Sequence, residues 1–362
     1  MRKLLWAVLI VLCAAPPAAF LFAWSGLYNV AASNGHLPIV SWLLKFGMEN
    51  SIETYSTGVD PPPLTDAALV ERGILYFQSG CAPCHGAPGL SRSPVALQML
   101  PPPPELTDAV HHWSTAELFR IVKHGIKYTG MPAWPAPGRD DEVWALVAFL
   151  TRMPQIPPAE YKTATRRHDS GGDAARAIAH EGLIVGPFAC ASCHGATGQG
   201  SPLGSVPRLA GQKAAYLEMA LEDFATTARP SGMMAPPAVN LDQQQRSDLA
   251  RYYSSLKPEK ADEPGEGSGE LQRRGAILVE QGDPSRGIPA CQACHGKDGL
   301  ARDNVPQYPA LAGQHLDYLA NQLRLFRANK RGGRLAEVMS ATVRNLTDDD
   351  IEAVASYYSR LK

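Results

Sequence analysis

The sequence predicts an all-α protein in which three small helical segments follow one N-terminal transmembrane helix. Three observations support this prediction. A short cysteine and histidine motif occurs three times, the stretches around its second and third copies repeat each other, and residues 4–24 carry no charge. Apolar residues make up 45% of the 362 residues, which is enough for packed cores and excludes a disordered or fibrous chain.

The charge balance excludes one class of partner. The chain has 34 Lys and Arg residues against 35 Asp and Glu residues, a formal net charge of -1, so it has no basic field to attract phosphates. Nucleic-acid binding is therefore excluded. The sequence also contains neither a Walker-type glycine loop nor a dinucleotide fingerprint, so any flavin or molybdenum chemistry must belong to another chain.

The first 24 residues predict a membrane anchor. The uncharged run 4–24 would form a helix of about 31 Å, which matches a hydrocarbon core of about 30 Å. Arg2 and Lys3 before an apolar run also suit a cleaved signal peptide, and Pro16 and Pro17 would interrupt a spanning helix. Because apolar residues continue past any small-residue cleavage site, we favour one uncleaved span in the inner membrane with the rest in the periplasm. Cleavage would instead give a soluble periplasmic protein.

The rest of the chain divides into segments and linkers by composition. Residues 25–63 form a juxtamembrane stretch that ends in a Pro-rich spacer, and its apolar part, 37–48, predicts either an interfacial helix or a packing helix. The predicted parts that follow are segment one (64–153), a linker (154–172), segment two (173–256), a second linker (257–270) and segment three (271–362).

Helix signals mark the ends of each segment. In segment one, Asp66 caps a helix that carries Gly73, and Asp140 opens a second helix rich in large apolar residues. The small residue on one helix and the large ones on the other predict a close crossing. Segments two and three end in similar aromatic-bearing helices, predicted at 248–256 and 348–361.

Six of the seven cysteines lie in three identical Cys-x-x-Cys-His frames. Two thiols three positions apart reach the two vinyl groups on one edge of a haem, and the adjacent imidazole then meets the iron. A thioredoxin-like pair needs no following histidine, and a zinc site would need two such pairs close together. The frames therefore predict three covalently attached haem c groups. The attachment cysteines are Cys81, Cys84, Cys190, Cys193, Cys291 and Cys294, and the iron ligands are His85, His194 and His295.

A methionine thioether is expected on the opposite face of each iron. In segment three the assignment is nearly forced, because Met339 is the only methionine after Cys291. In segment one, Met131 lies in a loop rich in Gly and Pro, which suits a ligand presented from irregular backbone. Met99 and Met153 lie nearer to the ends of predicted elements and are less suitable.

An internal repeat assigns the methionine of segment two. The residues that recur 102 positions later are Pro207, 209–212, Tyr216, Leu221 and Phe224, matched by Pro309, 311–314, Tyr318, Leu323 and Phe326. Downstream the offset becomes 105, which aligns Met234 with Met339. Met219 lies inside the helical repeat and is expected in the core. A packing role in the loop is the alternative for Met233 and Met234.

These residues resemble the class I c-type cytochromes. Residues 173–362 resemble the two-haem cytochrome c4 group through the frames, the repeated Leu-Ala-Gly-Gln run and the methionine seven residues before a leucine. Residues 64–153 resemble single-haem, membrane-anchored cytochromes through the run that contains Met131. The resemblance implies one His/Met haem per segment, electron transfer and a periplasmic or membrane-surface location. Cytochrome c4 has two haems, so the resemblance does not identify the partner of this longer chain.

With both faces of each iron occupied, the sequence predicts a one-electron relay and no enzyme or small-molecule substrate. The predicted function is transfer of single electrons from a periplasmic or membrane dehydrogenase, or a quinol-oxidising complex, to a terminal oxidase. The alternative is a multihaem enzyme, such as a peroxidase, with one five-coordinate iron. A haem-based sensor is disfavoured because no signalling segment is present. His111, His112 and His124 are predicted to be solvated or packing residues.

Overall fold

Helices are the main regular secondary structure in the part of the chain that the structure describes. A computed structural model describes residues 2–165, 174–181, 189–259, 269–301 and 305–361. Within these ranges there are helices, loops and two isolated β-bridges but no strand, so the all-α prediction is confirmed. The predicted linker residues 166–172 and 260–268 lie outside the described residues.

Two helices precede segment one, α1 (Arg2–Trp24) and α2 (Pro38–Ser56). Pro16 and Pro17 lie inside α1. Pro38 opens α2, where its missing N–H costs no hydrogen bond. No helix among the described residues is long and apolar enough to cross a membrane, so the transmembrane prediction for residues 1–24 is not supported.

The segments are built from short helices. Segment one contains α3 (Ala67–Gly80), α4 (Ala82–His85), α5 (Pro94–Leu97), α6 (Leu106–Ala109), α7 (Thr115–His124) and α8 (Asp140–Arg152), and α9 (Pro158–Ala164) follows it. Segment two contains α10 (Ala174–Glu181), α11 (Ala191–His194), α12 (Ala214–Ala225), α13 (Ala235–Val239) and α14 (Gln243–Ser255). Segment three contains α15 (Gly269–Glu280), α16 (Gln292–His295), α17 (Leu316–Arg327), α18 (Ala336–Val343) and α19 (Asp348–Ser359).

In segments one and three, the first and last helices, α3 with α8 and α15 with α19, cross closely at a glycine. A Cβ atom at Gly73 of α3 would overlap the carbonyl oxygen of Ala145 and lie 2.8 Å from Cβ of Phe149, both on α8. Gly275 of α15 has the same relation to the carbonyl oxygen of Ala353 on α19. The close crossing predicted for segment one is therefore confirmed, and segment three repeats it. Interiors are close-packed, so neither site has room for a methyl group.

Capping side chains determine where two of these helices begin. The Asp66 carboxylate accepts a hydrogen bond of 3.1 Å from the backbone N–H of Ala68, which confirms the predicted cap of α3. In α14, Asp242 and Gln245 form a capping box, and each side chain bonds to the other residue's backbone N–H. The helix therefore begins at Gln243, before the position 248 expected from the acidic residue there.

The linker predicted after segment one starts with a helix that packs. Tyr161 of α9 is 1% exposed, and its hydroxyl donates a hydrogen bond of 2.7 Å to Oε1 of Gln78. The ring joins the same apolar cluster as Phe77 and Phe149. A buried, hydrogen-bonded aromatic residue is not a feature of a flexible linker, so the packed part of segment one extends to α9.

The repeated Leu-Ala-Gly-Gln run joins segments two and three in a reciprocal way. The Gln212 side chain donates to the carbonyl of Ala310 at 2.9 Å and accepts from the backbone N–H of Ala310 at 2.8 Å. The Gln314 side chain makes the same two bonds, at the same distances, to the backbone of Arg208. Each glutamine side-chain amide thus bonds to both the N–H and the C=O of one backbone residue in the other segment, as a neighbouring β-strand would. Because the contact is reciprocal, both copies of the run carry the glutamine.

A buried carboxylate ties together the helices of segment three. Asp350 is fully buried, and its oxygens accept hydrogen bonds of 2.7 Å from both Arg274 and Arg286. The backbone N–H of Thr347 donates to it at 3.0 Å. Burial alone would raise the pKa of Asp350, but the bonds from Arg286, Thr347 and Arg274 outweigh it and hold the pKa well below the usual range.

We expect Asp350→Asn to reduce the stability of segment three by about 2 kcal/mol near neutral pH, because one charged acceptor for two arginines is lost. A depressed folded-state pKa gives stability that is present above the unfolded pKa of about 3.9 and is lost as the pH falls below it. Denaturant unfolding of both proteins over a pH series should show the difference shrinking in acid. Asp349→Asn, at an exposed neighbour, is the matched control. A stability difference that does not change with pH would contradict a role for the charge of Asp350.

Candidate functional site

Each Cys-x-x-Cys-His frame forms one helical turn, in α4, α11 and α16. The first cysteine precedes the helix and the histidine ends it. The backbone N–H of each histidine donates to the carbonyl of its first cysteine, at distances of 2.9 Å, 2.9 Å and 3.0 Å in chain order. Residues three and four positions apart share one face of a helix, so each turn presents two thiols and one imidazole together.

The three histidines have the same hydrogen-bond partner, the carbonyl oxygen of a proline. The distances from Nδ1 to that oxygen are 3.0 Å for His85 and Pro104, 3.0 Å for His194 and Pro207, and 3.4 Å for His295 and Pro309. A carbonyl can only accept, so Nδ1 carries the proton and Nε2 keeps its lone pair. This arrangement orients the ring and selects the tautomer of a metal ligand.

The imidazoles are held in the neutral form that a metal requires. His194 and His295 are 6% and 7% exposed, and His85 is half-buried. Burial lowers the pKa of all three rings, and the proline carbonyls act in the opposite direction. The net effect in each case is a lowered pKa, which keeps Nε2 unprotonated near neutral pH.

The cysteines lack the electrostatics of a redox-active thiol pair. Desolvation raises the pKa of Cys81 and Cys193 to about 12 and that of Cys190 and Cys291 to about 11. A thioredoxin-like nucleophile needs a depressed pKa so that its thiolate is populated. The raised pKa values of the first cysteines therefore argue against the redox-pair alternative considered from the sequence.

The methionines predicted as sixth ligands lie in different local structures. Met131 lies in the loop between α7 and α8, and its backbone N–H donates to Oγ1 of Thr129 at 3.1 Å. Met234 is the N-cap of α13, and Met339 lies inside α18. A Cβ atom at Gly130 would overlap the Met99 side chain, so Met99 reaches the same loop as Met131. The assignments of Met131, Met234 and Met339 stay predictions.

Two features of the site could not be found by searching for side-chain motifs. The acceptors for the histidines are backbone carbonyls, and Pro207 and Pro309 were visible only as members of the repeat. Glu142, described below, is buried by contacts between segments. His111, His112 and His124 are exposed, which agrees with the solvated role, one of the two roles predicted for them.

The residues fit a covalently bound haem c. Each turn offers two thiols for thioether bonds and one oriented imidazole with a free Nε2, which is the donor set that this group requires. The positions that would hold it are Cys81, Cys84 and His85, Cys190, Cys193 and His194, and Cys291, Cys294 and His295.

Comparisons with known proteins agree with this donor set. The family of cytochrome c oxidase, cbb3-type, subunit III matches residues 68–150, and the cytochrome c family matches residues 187–257 and 281–362. Cytochrome c4 of Thiocapsa roseopersicina is 36% identical over 48% of this chain and 86% of its own length. The thiosulfate dehydrogenase electron acceptor of Thiomonas intermedia strain K12 is 36% identical over 46% of this chain and 76% of its own length.

A solved structure of cytochrome c4 from Acidithiobacillus ferrooxidans is also similar. It is 33% identical, covers 48% of this chain and 98% of the solved chain, and has a TM-score of 0.43. The sequence similarity to cytochromes over most of their length agrees with the donor set on each one-turn helix. The chain belongs to the multihaem class I c-type cytochromes.

Proposed function

We propose that this chain is a tri-haem electron carrier that relays single electrons between a dehydrogenase and a terminal oxidase. The observation that carries the proposal is one site repeated three times, in which two cysteines and a histidine share a helical turn and the histidine Nδ1 donates to a proline carbonyl. When bound, each haem supplies an iron that takes up and releases one electron.

The residues of the chain have separate roles in this proposal. The cysteine pairs hold the group covalently, and each proline carbonyl makes its histidine a more basic and better oriented ligand. Met131, Met234 and Met339 would each supply a second protein ligand to an iron, which would leave no position for a small-molecule substrate. The half-buried cysteines, the half-buried His85 and the buried His194 and His295 limit the access of water to the sites.

The partners are proposed from the relatives. Two relatives are named thiosulfate dehydrogenase electron acceptor, from Thiomonas intermedia and Stutzerimonas stutzeri, which supports a periplasmic dehydrogenase as the donor. The oxidase-subunit family that matches residues 68–150 supports a terminal oxidase as the acceptor. On this basis segments two and three face the dehydrogenase and segment one faces the oxidase.

The location is proposed as the periplasmic side of the inner membrane. Large apolar side chains of α1, among them Trp6, Phe20 and Trp24, are more than half exposed, which supports attachment through residues 1–24. The full chain is expected in the membrane fraction and a chain without residues 1–24 in the soluble periplasmic fraction. Full-length protein recovered only in the soluble fraction would overturn the attachment.

We expect three haems per chain, because the same donor set is present at all three frames. A pyridine haemochrome assay on the purified protein measures this ratio. The double substitution Cys81→Ser with Cys84→Ser should reduce the count to two, since it removes both thioether bonds at one frame. The matched control is Cys13→Ser, at the cysteine outside the frames, which should leave three. A count of two in the unmodified chain would show that one frame carries no haem.

A further inference from the structure

A buried glutamate lies where segment one contacts segment two. Glu142, near the start of α8, is only 1% exposed. Its Oε2 accepts hydrogen bonds from Nε1 of Trp134 at 2.9 Å and from the backbone N–H of Gly232 at 2.8 Å. Its Oε1 accepts a hydrogen bond of 2.7 Å from the hydroxyl of Ser231. One carboxylate therefore joins a side chain of segment one to a loop of segment two.

Two partners of Glu142, Trp134 and Ser231, belong to loops that carry a predicted axial methionine. Trp134 lies three residues after Met131, and Ser231 lies three residues before Met234. The hydroxyl of Ser231 also accepts from the backbone N–H of Met234 at 3.1 Å. A continuous set of hydrogen bonds thus runs from the Met131 loop through the carboxylate to the backbone of Met234.

The two loops are in close contact, and Arg139 balances the negative charge of Glu142. A Cβ atom at Gly232 would overlap the indole ring of Trp134, so only glycine lets the two loops meet. Arg139 places Nη1 at 3.1 Å from Oε1 of Glu142 and donates to the carbonyl of Pro230 at 2.9 Å. A buried carboxylate needs such partners, and it is costly to remove one of them.

A second contact joins the same two segments. Glu71 of α3 accepts hydrogen bonds from the hydroxyl of Ser205 at 2.9 Å and from the backbone N–H of Leu203 at 3.3 Å. The contacts from α8 to segment three are longer, 3.5 Å from Asn321 to Asp141 and 3.8 Å from Lys330 to Asp140. Segment one is therefore joined more tightly to segment two than to segment three.

We propose that Glu142 is a positioning residue that holds the Met131 loop and the Met234 loop as one unit, and that segment two is the redox neighbour of segment one. The inference rests on the proposed function, because both loops matter only if their methionines are ligands. On this proposal, the ligand geometry of segment one also depends on a residue of segment two.

The test substitutes a serine of segment two and measures segment one. Ser231→Ala removes the hydroxyl between Glu142 and Met234. The matched control is Ser205→Ala, which also removes a hydroxyl of segment two bonded to a glutamate of segment one, at 2.9 Å from Glu71. Ser231→Thr keeps the hydroxyl and should rescue the effect. Potentiometric titration of the holoprotein gives the potentials, and the titration of Cys81→Ser with Cys84→Ser identifies the signal of segment one.

We expect Ser231→Ala to shift the midpoint potential of segment one, with about a tenfold change in its electron-transfer equilibrium with segment two, equivalent to about 59 mV. Glu142→Gln should shift the potentials of both segments, because an amide cannot accept at both former oxygen positions. Ser205→Ala should leave both unchanged. A shift confined to segment two, or an equal shift from Ser205→Ala, would overturn the proposal. Failure of the proposed function would show differently, as fewer than three haems in the unmodified chain.

Discussion

Gly275→Ala is expected to destabilise segment three by about 3 kcal/mol or more, at the upper end of the cost of overpacking a core. The added methyl group would overlap the carbonyl oxygen of Ala353 and lie 2.9 Å from Cβ of Tyr357. Neither neighbouring atom can move alone. The Ala353 oxygen is part of the helix backbone, and Cβ of Tyr357 is bonded directly to that backbone. The helices α15 and α19 must therefore separate, which exposes part of the apolar cluster around Ile351 and Tyr358.

Chemical denaturation followed by circular dichroism measures this loss of stability. Gly47→Ala is the control, because Gly47 lies within α2 and a Cβ atom there meets nothing within 4 Å. That substitution should be neutral or stabilising by about 0.5–1 kcal/mol, since alanine is the better helix former. If Gly275→Ala unfolds at the same denaturant concentration as the unmodified chain, the crossing of α15 and α19 has room for a methyl group and this explanation is wrong.

Met339→Ala should produce the largest change in redox behaviour. If Met339 is the sixth ligand in segment three, its loss opens the iron to added ligands and lowers the potential of one haem. The expected shift is on the order of 100 mV, because axial ligands set haem potentials over a range of about 0.8 V. An optical titration with and without cyanide measures both effects.

Val338→Ala provides the control for this substitution. Val338 is the neighbouring residue on α18 and is 52% exposed, so its truncation should change neither the spectrum nor the potentials. An optical spectrum and a potentiometric titration that stay unchanged in Met339→Ala would show that another group ligates the iron. The same comparison at Met131 and Met99 would decide which of them serves segment one.

Local signals in the sequence predicted the features that depend on neighbouring residues. Asp66 caps its helix because an aspartate oxygen reaches a backbone N–H two residues ahead, and no distant contact is needed. The Cys-x-x-Cys-His frames are local for the same reason, since one helical turn places all donors on one face. The close crossing at Gly73 was also accessible, because a small residue opposite large ones is a packing signal within one segment.

Features that depend on how segments meet could not be predicted. Glu142 is an ordinary acidic residue at a helix start in the sequence, where it complements the helix dipole. Glu142 becomes a buried hydrogen-bond acceptor between the segments only because Ser231 and Gly232 pack against Trp134. Tyr161 was missed for a similar reason, since its partner Gln78 lies 83 residues away in the chain. The proline carbonyls have no side-chain signature.

Reduced, unmodified protein exposed to carbon monoxide tests the central claim most directly. A methionine on every iron would leave no open coordination position, so the absorption spectrum should remain that of a six-coordinate, low-spin cytochrome with no carbon monoxide adduct. Oxidised protein should likewise show no high-spin signal in electron paramagnetic resonance. An adduct at any haem of the native chain, formed without denaturation, would contradict the account and favour an enzyme with an open iron.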